Sequence, residues 1–140
     1  MVVLGVCSVQ VVYIYKSEQV EMKRDMDLIR ALLIQMDEEP RLDGTQWLEI
    51  NHRDFPGHSI QEVAYHVGLL VEVGYVRGNI GGSMPMISKL TWEGHEFVDD
   101  IKDSGVWANT KARLEGLSGV ALSVVAEIAK AEIKKRLGLP

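Results

Sequence analysis

Residues 65–78 read YHVGLLVEVGYVRG, and residues 90–94 read LTWEG. The first stretch runs from helix into strand. Val67, Leu70 and Val71 continue an apolar stripe opened by Ile60, Val63 and Ala64, at the three- and four-residue steps of a helix. Ser59 precedes this run and Glu62 follows three residues later, the pattern of a capping box in which each side chain satisfies an N–H of the first turn. Gly74 is placed to end the helix in the left-handed conformation. Residues 75–80 then read as a strand, Gly81-Gly82-Ser83 as a bend, and residues 86–90 as the returning strand of a hairpin. In LTWEG, Thr91 caps the next helix and Gly94 leaves room for the hairpin to pack closely against it.

Working outward, Met26, Ile29, Leu33 and Met36 recur at helical spacing, with Leu28 and Leu32 widening the stripe. Asp25 or Asp27 can start that helix, and it closes at Glu39-Pro40, because the residue before a proline disfavours the helical well. Asp43-Gly44 reads as a turn, residues 47–50 as a short strand and residues 51–58, NHRDFPGH, as a polar connection. Downstream, Phe97, Val98 and Ile101 face inward, and Ser104-Gly105 reads as a break. Val106, Trp107, Thr110 and Leu114 continue as helix, and Gly116 and Gly119 bracket a loop. A last helix from Val120 to Leu137 carries Leu122, Val125, Ala129 and Ile133 on one face, with Lys134, Lys135 and Arg136 at its negative end. Trp92 and Trp107 are expected to cover the core where the hairpin meets the C-terminal helices.

The 140 residues are 46% hydrophobic and 25% charged, the make-up of a soluble globular chain of one domain. This excludes a fully disordered chain, a collagen-like repeat and a polytopic membrane protein. One cysteine, Cys7, excludes an intramolecular disulfide and any zinc site needing two thiolates. The net charge of −5 has the wrong sign for binding nucleic acid through bulk charge. Residues 1–15, MVVLGVCSVQVVYIY, carry no charge. They are shorter than the roughly 20 apolar residues of a membrane helix and lack the opening Lys or Arg of a signal peptide. Within them VQVVYIY has the make-up of an edge strand. At Lys16 the composition changes to KSEQVE, and Met22 follows. Three readings stand: an extra strand on the domain, a weak membrane or export signal, or sequence upstream of the true start.

Helix, short strand, helix ending in Gly, hairpin, then Leu-Thr-x-x-Gly opening another helix is the order of a winged helix, an α+β fold. Residues 65–78 resemble the recognition helix and first wing strand of bacterial winged-helix regulators, and residues 90–94 resemble the return of their wing. One element departs from that pattern: between Glu39 and Ser59 there is no second helix of the helix-turn-helix. MKRDMDLIR (22–30), YHVGLL (65–70) and LTWEGHEFVDDIKDSGVWANTK (90–111) together resemble domain of unknown function 2513, a bacterial and phage-associated family. The resemblance runs from Met22 to near the C-terminus. It implies a winged-helix-like fold, frequent residence on prophages or mobile elements, and a start at the methionine of the first motif. It brings no catalytic residues. The expected organisation is an N-terminal extension over 1–21, a winged-helix-like domain over 22–115 and a C-terminal helix over 116–140.

The functional expectation is a small non-catalytic regulatory protein of prophage or mobile-element type, associated with DNA. The alternative is an acidic winged-helix adaptor that binds protein without DNA. The outward face of the second helix is expected to hold Gln61, Glu62, Tyr65, His66 and Leu69. No Lys or Arg lies between Ser59 and Gly74, and Glu62 and Glu72 would repel phosphates, which normally supply most of the affinity for duplex DNA. Residues 22–96 hold seven basic and twelve acidic residues, and residues 97–140 hold seven and six. Cations for phosphates are Lys23, Arg24 and Arg30 on the first helix and Arg77 and Lys89 on the wing, with Gln61 for a base edge. If Lys23, Arg24, Arg77 and Lys89 gather on one face with the second helix, DNA gains; if acidic residues line that face, the adaptor gains. Without DNA, Glu62, Tyr65, His66 and Leu69 read as a patch for a protein partner, with its aromatic and apolar residues as anchors. As a catalytic base His66 would need a nucleophile or an orienting carboxylate, and it reads instead as a histidine hydrogen-bonded within the fold. His52, His58, His66 and His95, at spacings of six, eight and 29, match no zinc motif. Asp99-Asp100-x-x-Asp103 reads as a solvated helix face, with Asp99 and Asp103 one turn apart and Lys102 among them. No cofactor, metal or membrane is expected, the location is cytoplasmic, and the stripe on the last helix points to a homodimer.

Overall fold

The computed structural model describes residues 22–140 except Ser118, so the expectations for residues 1–21 lie outside the described residues. Among these, five helices and three strands follow one another. They are α1 (Met26–Glu38), β1 (Asp43–Glu49), α2 (Ile60–Glu72), β2 (Val76–Asn79), β3 (Met86–Leu90), α3 (Trp92–Ile101), α4 (Ser104–Leu114) and α5 (Leu122–Arg136). The strands form one antiparallel sheet in the order β1-β3-β2. This is an α+β, winged-helix-like arrangement. A single 3-10 turn, His52–Asp54, stands where a winged helix has its second helix, and Phe55 after it is buried.

α1 begins where Asp25 accepts the N–H groups of Asp27 and Leu28 at 3.0 and 3.1 Å, and it ends before Pro40. Leu28, Ile29, Leu32, Leu33 and Met36 are buried as its periodicity requires. α2 has the complete capping box, with the Glu62 N–H donating to Ser59 Oγ at 3.1 Å. Gly74 takes φ +85°, the left-handed turn a side chain would resist, and sends the chain into β2. Val63, Val67 and Leu70 enter the core, but Ile60, expected inside, is 44% exposed. It occupies the first helical position, on the rim of a recess shared with Met84 and His52. Ala64 and Val71 are half-buried.

β1 is longer than expected and absorbs the predicted turn at Asp43-Gly44. Asp43 pairs with Lys89 and Leu48 with Ile87, so the residues between them bulge from the ladder. At the far end of β3 the chain makes a tight corner. The Thr91 N–H donates to the Tyr75 carbonyl at 3.0 Å, the Thr91 hydroxyl donates to the Gly74 carbonyl, and the Gly94 N–H donates to Thr91 Oγ1 at 3.1 Å. A Cβ on Gly94 would overlap the Tyr75 carbonyl. The Tyr75 ring stacks on Phe97 with centroids 4.8 Å apart.

α3 buries Gly94, Phe97, Val98 and Ile101. Trp92, expected over the core, is 76% exposed instead. Two residues from Gly94 on a helix is a rotation of about 200°, which turns it to solvent. Trp107 does cover the core, and its indole N–H donates to Asp27 at 2.9 Å. Arg30, expected to be available to phosphate, is committed to the fold. Its guanidinium donates to the Ile101 and Lys102 carbonyls at 2.9 and 2.6 Å, closing the end of α3, and lies 5.9 Å from the Trp107 ring. Asp103 is the N-cap of α4, accepting the Val106 N–H at 2.9 Å, so Asp99 and Asp103 do not share a helix.

α5 turns Leu122, Val125 and Ala129 against α3 and α4 of its own chain. The stripe that suggested a homodimer is thereby covered within the chain. Ile133 is only half-buried, while Glu132 beside it is buried and takes a hydrogen bond from Arg113 at 3.1 Å.

Two predictions follow the packing. Gly94→Ala forces backbone apart at the corner and should cost at least about 1–3 kcal/mol in urea unfolding. Gly68→Ala, with open space around its Cβ, should gain about 0.5–1 kcal/mol. Equal midpoints for the two variants would remove the corner from the account. The second concerns Asp27. Burial pushes its carboxyl up, but hydrogen bonds from Trp107 and Lys111 outweigh this and hold it below the usual carboxylate range. Its contribution is therefore full above that range and is lost as pH falls through the lower folded value. Asp27→Asn should lower the unfolding temperature at neutral pH, and the gap to the native chain should close on acidification below about pH 4.

Candidate functional site

α2 presents the surface on which function was expected, and its residues divide by helical angle. Val63, His66, Val67 and Leu70 follow the i, i+3, i+4, i+7 steps of one face, and all four are buried. His66 is therefore a core residue, not part of an outward face. Its Nε2 accepts the backbone N–H of Asp25 at 2.8 Å and its Nδ1 donates to the Glu62 carbonyl at 2.7 Å. The imidazole joins α2 to the N-cap residue of α1, and the Tyr65 ring meets its edge at a centroid distance of 5.5 Å. Spacing alone carried this signal; the polarity of histidine masked it.

The opposite face holds Gln61, Tyr65, Leu69 and Val73, four residues apart in succession. Gln61 and Tyr65 are exposed, Leu69 is half-buried and Val73 is 48% exposed. Glu62 flanks this stripe at one end. A hydrogen bond from His58 at 3.1 Å, with others from Ser59, holds its carboxyl below the usual range, so it stays anionic. Glu72, exposed, flanks the other end.

Beside Leu69 and Val73 runs a groove of about 450 Å³, walled by Arg24 at the start of α1 and by Ala121, Leu122 and Ser123 at the start of α5. Val73 and this α5 wall were missed in the sequence. The four-residue spacing from Gln61 would have found Val73, but nothing local points to Ala121, which arrives only through the packing of α5.

The remaining cations stand elsewhere. Arg77 and Lys89 are cross-strand partners, and both are exposed. Their register neighbours Val76 and Leu90 are buried, so the pair lies on the face of the sheet turned away from the core. α2 sits on the core side. The tip of the hairpin, residues 80–83, carries no charge. Lys23 is exposed beside Arg24. The structure thus brings Arg24 to Leu69 and keeps Gln61, Glu62 and Tyr65 on one helix, but places Arg77 and Lys89 on another surface.

The histidines are dispersed: His58 on Glu62, His66 inside, His95 at 3.3 Å from Asp37, and His52 in the 3-10 turn. Among the described residues no three His, Cys, Asp or Glu side chains are grouped to hold a metal ion, and no helix is long and apolar enough to cross a membrane.

A family model described as "Hypothetical protein (DUF2513)" matches residues 23–121. The chain belongs to the DUF2513 family. The DUF2513 match opens two residues before the N-cap of α1 and closes at the N-cap of α5. It therefore takes in α2, the hairpin, the corner at Gly94 and both walls of the groove as far as Ala121. A protein of Haemophilus influenzae (strain ATCC 51907 / DSM 11121 / KW20 / Rd), described as uncharacterized, is 30% identical over 121 residues, covering 83% of this chain and 99% of its own length. No solved structure matches.

Replacing His66 with Phe keeps a ring in the core but leaves the Asp25 N–H without its acceptor. It should cost about 1–3 kcal/mol in thermal unfolding. Tyr65→Ala, one residue away on the exposed side, should stay within about 0.5 kcal/mol of the native chain. Equal losses from both would mean that His66 is not the tie between α1 and α2.

Proposed function

We propose that this chain is a non-catalytic protein-binding module that uses a winged-helix-like scaffold as an adaptor. One observation carries the reading: the outer stripe of α2 and its C-cap is exposed Tyr65, half-buried Leu69 and exposed Val73, flanked by Glu62 and Glu72, with no Lys or Arg between Ser59 and Gly74. Carboxylates at both ends oppose a phosphate backbone, whereas an aromatic ring and two aliphatic side chains beside a groove supply anchors for a protein. In the partner's complex, Tyr65 and Val73 are the contacts and Arg24 is the charge at the groove's edge.

A second reading keeps DNA: a regulatory protein of mobile-element type that holds duplex phosphates on the outer face of the sheet. The Arg77–Lys89 pair favours it, since two exposed cations lie side by side there. It lacks a reading helix on the same face.

A photo-crosslinking residue at position 65 in cells is expected to give a discrete protein adduct that disappears with Val73→Asp. A companion titration of duplex DNA at two salt concentrations is expected to show no retention. If DNA is retained at low salt, and Arg77→Ala or Lys89→Ala lowers the salt slope by about one unit, the second reading replaces the first.

A further inference from the structure

α3 has a second unpartnered face, and its chemistry differs from that of α2. Trp92 is 76% exposed, the largest exposure of any large hydrophobic side chain among the described residues. It is held in place nonetheless, because its indole N–H donates to Glu96 Oε1 at 2.6 Å. The helix carries Glu93, Glu96, Asp99 and Asp100 in ten residues, with no Lys or Arg among them. Lys102 meets Asp99 at 2.9 Å, and Lys130 reaches Asp100 only at 3.8 Å. Burial pushes the Asp100 carboxyl up, Lys130 draws it back, and Glu96 and Asp99 push it up again, with the balance raised. The chain's own cations leave this face short of positive charge.

The occupant follows from charge and ring together. An anionic partner would meet the exposed carboxylates of Glu93 and Glu96. A purely apolar one would strip water from Glu93 and Glu96 without pairing them. A guanidinium or ammonium group satisfies both features, since it is attracted to the face of an indole and to the carboxylates around it. We propose that the outer face of α3 docks a basic, Arg- or Lys-rich segment of a partner protein, with one cationic side chain stacked on Trp92 and its neighbours paired with Glu93 and Glu96. This surface is separate from the α2 stripe, and the inference does not rest on the reading of that stripe.

The full chain, labelled with nitrogen-15, would be titrated with the blocked peptide Arg-Ala-Ala-Arg-Ala-Ala-Arg at physiological ionic strength. Shifts are expected to centre on the Trp92 indole N–H and the α3 amides. Trp92→Ala should weaken binding about threefold to tenfold while leaving the unfolding temperature unchanged, because the ring packs on so little. Glu93→Gln with Glu96→Gln should weaken binding similarly, and Glu49→Gln on β1 should not. Absence of binding, equal affinity of Trp92→Ala and the native chain, or shifts centred on α2 or the sheet would each overturn the inference. The peptide test reads α3 alone, so its failure leaves the position-65 crosslink unaffected.

Discussion

The backbone of Tyr75 and the first turn of α3 meet with no room for a side chain between them. That contact exists because position 94 is glycine, and three hydrogen bonds through Thr91 hold it closed. The end of α2, the start of β2, the end of β3 and the start of α3 all converge there. Opening the corner would lift the hairpin from the helices, and the buried pair Val76 and Leu90 would lose its cover. The stacking of Tyr75 on Phe97 lies directly beneath it. The close packing of α3 on the hairpin and the exposed position of Trp92 follow from this one approach.

A second set of ties fixes α1, and it changes which charges can act. His66 joins α2 to the N-cap residue of α1, Arg30 closes α3, and Asp27 holds Trp107 and Lys111 of α4. Arg30 and Lys111 are thereby spent on internal geometry. Arg113 and Arg136 bond Glu132 and Asp103 in the same way, across α4 and α5. A cationic surface cannot be built from side chains whose donors are already aimed at carbonyls and carboxylates. Lys111, Arg113 and Arg136 each take a carboxylate with them, so the pairs leave the acidic balance of the sequence in place, and Arg30 alone is withdrawn onto carbonyls.

Among the described residues, the exposed surfaces include an apolar stripe beside a groove on α2, a tryptophan among carboxylates on α3, and two cations on the outer sheet. A winged-helix scaffold that reads DNA would combine cations with the recognition helix. Here the sheet carries them on its far side, because the alternation of β2 and β3 turns Arg77 and Lys89 away when Val76 and Leu90 turn inward. The separation is a consequence of strand period and needs no further explanation.

The sequence by itself determined the elements and their order. Capping residues, apolar periodicity and glycines act within a few residues of themselves, so α1, α2, the hairpin, the helix break near Ser104 and the last helix were legible, as was the missing second helix between Glu39 and Ser59. His66 was placed on the outward face of the second helix, because its polarity outweighed a spacing that puts it in the core. Only the tertiary structure decided what each face meets. Trp92 and Ile60 look like core by type, yet one is turned out by its angle from Gly94 and the other stands at a helix end. Arg30 looks like a surface cation until α3 ends against it. The stripe on α5 fits a second copy as well as its own chain until α3 and α4 cover it. The groove on α2 needs walls from residues 24 and 121, and their meeting depends on long-range packing that no local pattern encodes.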